Sequence, residues 1–133
     1  MTQVELLQSS LEQVVERIGD PAPQVYECVF DAAPELRALF IRDERGSVRG
    51  EMFHRVIETL LDLASERPYA AGMIAAERIN HDGIGVTPQQ FDSFFDAVLQ
   101  VCRQALGADW TAEIDAAWRG TIARVNALAA AGG

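Results

Sequence analysis

Val4, Leu7, Leu11, Val14, Val15 and Ile18 recur at helical spacing, mostly three or four residues apart. That is the period of one face of an α-helix, whereas the two-residue alternation of a half-buried strand is nearly absent from the chain. The same phase returns in Val25, Tyr26, Val29 and Phe30, and again from Val48 through Met52, Phe53, Val56, Ile57, Leu60 and Leu61. It returns twice more, in Phe91, Phe94, Phe95, Val98, Leu99, Cys102 and Leu106, and in Ile114, Trp118, Ile122, Val125 and Leu128. A chain patterned this way is confined to helices packed on helices.

Start and stop signals divide these stripes. Thr2 and Glu5 read as a capping box, and Gly19 suits a left-handed stop. Asp20-Pro21 restarts a helix, the proline taking a position whose N–H would be unpaired anyway. Ala33-Pro34 begins a short third helix that ends near Leu39-Phe40, and the polar run from Ile41 to Gly46 is a loop. Ser47 can cap the next helix. Pro68 opens a shorter one that runs to about His81, broken by Gly83 and Gly85. Thr87-Pro88-Gln89-Gln90 is a second capping box, Gly107 ends its helix, and the last helix follows Asp109-Trp110-Thr111. The tail from Ala129 to Gly133 is expected to fray. The pattern predicts seven helices, two of them short, in one all-α domain.

Composition narrows the function. The 133 residues can bury a core but are too few for two domains. All 11 basic residues are Arg, and the net charge of −9 repels nucleic acid and anionic membrane, so neither is expected as a partner. No apolar run approaches the ~20 residues that span a bilayer, and the first residues do not read as a secretion signal. Cys28 and Cys102 sit among apolar residues without CxxC spacing, which argues against a zinc site or disulfide framework and for a cytoplasmic location.

No nucleophile–base constellation or glycine-rich phosphate loop is present, so the two histidines carry the weight. Taken alone, His81 at a helix end is a cap whose charge complements the helix dipole. Its surroundings change that. His81 is followed after three residues by Gly85-Val86; Leu106-Gly107, Thr111 and Ala117-Trp118 continue in ungapped order, and Tyr26 to Phe30, Pro34-Glu35-Leu36-Arg37 and Leu39-Phe40 precede it. In these residues the chain resembles bacterial single-domain haemoglobins and the globin domain of flavohaemoglobins, over almost its whole length.

The resemblance implies a globin fold of about seven helices around a haem pocket, with haem b as cofactor and His81 as its proximal iron ligand. It implies that Phe40 wedges against the porphyrin and that Tyr26 donates to dioxygen on the distal side. Val86, Phe91, Arg78 and Glu77 fall among the implied haem contacts. Two registers remain open for the distal helix, because the chain between Phe40 and His81 is one residue shorter than the family pattern. One places Arg49 at the ligand gate and Phe53 over the iron; the other places Met52 and Val56 there. The first is slightly preferred, since Gly50 after the gate would allow close helix packing. Both turn His54 away from the iron.

Departures from the family also inform the reading. Where some relatives polarise the proximal histidine with a Tyr and a C-terminal Glu, this chain has Phe91 and Gly133, so His81 is expected to donate to a backbone carbonyl one turn earlier. Glu77 shares a helical face with His81. It can face the proximal side, pair with Arg78 or Arg124 at the rim, or be solvated, with the last two together favoured. The function implied is reversible binding of dioxygen, nitric oxide or carbon monoxide. Nitric oxide dioxygenation to nitrate would require a separate reductase. The competing readings are a haem-based sensor and a haem-free globin-fold interaction module.

Overall fold

The apolar stripes become the buried faces of six α-helices. A computed structural model describes residues 1–65 and 71–132. The helices are α1 (Gln3–Ile18), α2 (Ala22–Ala32), α3 (Ser47–Ala64), α4 (Ala71–Asp82), α5 (Pro88–Leu106) and α6 (Ala112–Gly132), with no strand among the described residues. The expected short third helix is present as a 3-10 helix, Pro34–Phe40. Pro68, expected to open the helix before His81, lies outside the described residues, as does Gly133. The tail departs from expectation, since α6 continues to Gly132.

Several caps act as their residues require. Thr2 accepts from the Glu5 N–H at 3.2 Å, and Asp20 accepts from Ala22 at 3.0 Å. At the start of α5 the box is complete: Thr87 accepts from the Gln90 N–H, and Gln90 returns the bond from the Thr87 N–H. Gln90 also donates to Glu35 at 2.8 Å, holding the 3-10 helix against the head of α5.

Ser47 does not cap α3. Asp43 does so from the preceding turn, accepting from the Val48 and Arg49 N–H groups at 3.0 Å each. The reason is reach, because an Asp placed four residues before the helix bends back over its first turn. Partial burial pushes the Asp43 carboxyl up, but these two N–H bonds and the Arg49 guanidinium outweigh it and hold it below the usual carboxylate range.

The core gathers where α1, α5 and α6 meet, around the fully buried Leu7, Val14, Val98, Cys102, Trp118 and Val125. Burial pushes the Cys102 thiol up to about 12, so it packs as a small apolar group; Cys28 is only half-buried. One polar link crosses this core. The Trp118 indole N–H donates to Ser10 Oγ at 2.9 Å, and Ser10 donates onward to the Leu7 carbonyl at 2.8 Å. Ser10→Ala strands that indole N–H in a dry site, so we expect a loss of about 1–3 kcal/mol. Urea denaturation should show a lower midpoint at unchanged slope; an unaltered midpoint would mean that the link contributes nothing.

Candidate functional site

Away from this core the helices leave a cavity of about 740 Å³, within the range of roughly 300–1,000 Å³ typical of small-molecule sites. Tyr26 and Val29 of α2 line it beside Leu36, Leu39 and Phe40 of the 3-10 helix. Val48, Met52, Val56 and Thr59 form the α3 wall, and Met73, Ile74, Glu77 and His81 the α4 wall. Ile84 and Val86, then Phe91, Phe94 and Phe95 of α5, complete it. Leu39, Val48, Met73 and Ile84 are among the most exposed large apolar side chains of the described residues. An apolar occupant would cover them, and burial of such surface is favourable by about 25 cal/mol per Å².

His81 is the imidazole in this wall. Its Nδ1 lies 2.7 Å from the Glu77 carbonyl, one turn back in α4. A carbonyl only accepts, so Nδ1 carries the proton and donates. In the neutral ring Nε2 then keeps its lone pair and is the nitrogen available to a metal. This is the backbone-carbonyl partner expected from the sequence. The Phe91 ring packs against the imidazole with centroids 5.2 Å apart, and it has no group to hydrogen-bond with.

The turn after His81 explains the glycine in its motif. The Ile84 and Val86 N–H groups both donate to the His81 carbonyl, at 3.1 and 2.9 Å. Gly85 sits between them at φ +96°, a conformation that L side chains rarely adopt. A Cβ there would meet nothing within 4 Å, so the backbone, not crowding, selects glycine.

Tyr26 is 3% exposed and belongs to an aromatic cluster. Phe94, Phe40 and Phe30 lie 5.3, 5.5 and 6.0 Å from its ring centre. Its hydroxyl is buried and has no hydrogen-bond partner among the described residues. Burial pushes the phenol well above its ordinary pKa, although the nearby Arg49 charge opposes this and Asp43 adds to it. The hydroxyl therefore stays protonated and keeps a donor.

On α3 the structure departs from the preferred register. Met52 and Val56 line the cavity, four residues apart on one face, with Val48 and Thr59 in phase. Phe53, turned from Met52 by about 100°, is buried in the helical core instead. Arg49 folds back on the preceding turn, donating from Nε to the Asp43 carboxylate at 3.1 Å and from a terminal nitrogen to the Asp43 carbonyl at 2.8 Å. The argument from Gly50 also fails, because a Cβ there would meet nothing within 4 Å. His54 points outward and pairs with Glu58 at 2.8 Å.

Arg78, expected among the haem contacts, is drawn into an ion pair with Asp92 at 3.2 Å that ties α4 to α5. Arg124 donates to the Leu63 carbonyl. Glu77 lines the cavity, its carboxylate 3.7 Å from His81 Nδ1. The arginines in the lining are Arg42 and Arg55, neither of which sequence reasoning singled out. With the Met52 register in hand, Arg55 was findable as one turn further along the same face.

The globin family model matches residues 23–128, from α2 into α6. The chain belongs to the globin family. No curated protein and no solved structure matches it significantly. As a globin it is a haem-binding protein that takes gaseous ligands such as dioxygen.

The residues of the cavity suit such a group. Among the described residues no cluster of three or more His, Cys, Asp or Glu side chains could hold a bare metal ion. A single imidazole nitrogen in an apolar wall suits an iron that brings its own ring nitrogens and needs one axial protein ligand. Tyr26 lines the same cavity, and its buried hydroxyl has no hydrogen-bond partner among the described residues. No helix of the described residues is long and apolar enough to cross a membrane.

Proposed function

We propose that this globin holds haem b through His81 Nε2 and reversibly binds dioxygen, nitric oxide or carbon monoxide beside Tyr26. The observation that carries the reading is the His81 geometry. Its Nδ1 is committed to the Glu77 carbonyl, which fixes the tautomer and orients the other nitrogen as a ligand. Haem supplies the iron at which diatomic gases bind.

The protein supplies the rest. Phe40 and Phe91 contact the faces of the macrocycle, with Val86 closing the His81 side. In this reading Met52 would stand at the ligand entrance and Val56 would face the bound group, both limiting access of water. Arg42 and Arg55 take the haem carboxylates, the pairing for which guanidinium geometry is suited. Tyr26 donates its hydrogen bond to the ligand that most needs one. Given an electron from a separate reductase, the same arrangement allows nitric oxide and dioxygen to be converted to nitrate, with overall balance NO + O₂ + e⁻ → NO₃⁻. The tyrosine would orient dioxygen in a water-poor site for that reaction. We place the protein in the cytoplasm, where two cysteines without CxxC spacing stay reduced.

Titration of the purified apoprotein with haemin tests the reading. We expect saturation at one haem per chain and an intense Soret band. The ferrous form should be five-coordinate and bind carbon monoxide. No uptake of haem, or a six-coordinate ferrous spectrum, would count against it.

A further inference from the structure

Glu77 is an anionic side chain on the α4 wall of the cavity, where its neighbours Met73 and Ile74 are apolar. Its carboxylate oxygen Oε2 lies 3.7 Å from His81 Nδ1, while the backbone carbonyl of the same residue, at 2.7 Å, takes the Nδ1 hydrogen bond. The side chain is half exposed, and among the described residues Arg78 pairs with Asp92 and Arg124 donates to the Leu63 carbonyl rather than to Glu77. The carboxylate thus lies beside the ring without being needed for its hydrogen bond. Its contribution there is charge.

We propose that Glu77 is a positioning residue that acts through His81 to set the reduction potential of the iron. This rests on the reading of His81 as the haem ligand. A negative charge beside the ligating imidazole stabilises the more positively charged ferric state over the ferrous state, because the Coulomb term favours the larger opposite charge. The same field polarises the imidazole toward the iron, without the direct hydrogen bond made by carboxylates that accept from metal-ligating histidines. The carbonyl bond holds the ring in place whichever side chain residue 77 carries, so orientation and charge are separable. Exposure to water screens the effect but does not remove it. A site tuned this way needs a stronger electron donor to reach the ferrous state. It also sends more electron density toward a dioxygen ligand, which strengthens the bond that Tyr26 donates.

Spectroelectrochemistry of the haem-loaded wild type, Glu77→Gln and Glu77→Asp tests this. Glu77→Gln keeps the backbone carbonyl and nearly the side-chain volume while removing the charge. We expect it to lower the ferric-to-ferrous ratio at a fixed ambient potential by roughly three- to tenfold, a rise in midpoint of about 28–59 mV at 59 mV per tenfold for one electron. The iron–histidine stretching frequency of the ferrous form should fall with it. Glu77→Asp, which keeps the charge, should stay near wild type, and Glu77→Ala should reproduce the Gln result if that variant folds poorly. Equal potentials and equal frequencies in wild type and the neutral variants, at equal haem content, would overturn the proposal and leave the haem reading standing. A wild type that takes up no haem would overturn both.

Discussion

His81→Ala is expected to abolish haem retention, or to leave a haem that is recovered when imidazole is added. His81 is the imidazole lining the cavity, and its hydrogen bond to the Glu77 carbonyl leaves Nε2 as the nitrogen for iron. On the proposed reading, removing it would take away the axial protein ligand and leave only apolar contacts and the pairing with Arg42 and Arg55. The fold should survive, because the lost bond returns an accepting carbonyl at a partly exposed helix end to water. Haem content and the Soret spectrum measure the first effect and far-ultraviolet circular dichroism the second. His54→Ala is the control: that imidazole pairs with Glu58 on the surface, and its loss should change neither. Normal haem content in His81→Ala would defeat the central assignment.

The fold was legible because local signals agreed with one another. The capping box at Thr87, the stop at Gly19 and the stripes of α1, α3 and α5 each specify a helix before any packing is considered. The turn after His81 was legible for a similar reason, since Gly85 is demanded by a positive φ, and a backbone requirement leaves a clear mark in sequence. The α3 register was harder to read. A helix whose positions 52, 53, 56 and 57 are all apolar has a stripe too wide to say which edge faces the cavity. Only the packing of Phe53 against the core decides it.

Arg49 misled for a different reason. A long cationic side chain near a cavity can serve as a gate, but Asp43 offered it two acceptors in the preceding turn. The identity of the α3 cap was hidden for the same reason. A carboxylate reaching forward over several residues has no fixed spacing, whereas Ser47, at the very start of α3, looks like the obvious candidate. Arg78 shows the reverse case, a rim residue by sequence that an acidic neighbour on α5 draws into a pair.

Tyr26→Phe should speed dioxygen dissociation roughly ten- to hundredfold while hardly changing carbon monoxide release. The hydroxyl is buried, protonated and without a partner among the described residues. Most hydrogen bonds in proteins exchange one partner for another and gain little net. This one would form on a donor already stripped of water, so little is given up when it forms. Toward a dioxygen ligand, which carries partial negative charge, such a bond is worth ~1.5–3 kcal/mol, and about 1.4 kcal/mol corresponds to each tenfold in rate. Carbon monoxide carries less charge and gains less. The same feature fixes the sign of a second result. In the protein without haem the stranded hydroxyl is a cost, of about 1–3 kcal/mol for a buried polar group lacking a bond. Tyr26→Phe removes that cost and keeps the ring contacts with Phe94, Phe40 and Phe30, so the apoprotein should unfold at a higher denaturant concentration. Laser-flash and stopped-flow kinetics read the first effect, and urea denaturation the second. Equal changes for both gases would mean that Tyr26 acts by packing alone. A less stable apoprotein would mean that its hydroxyl has a protein partner after all.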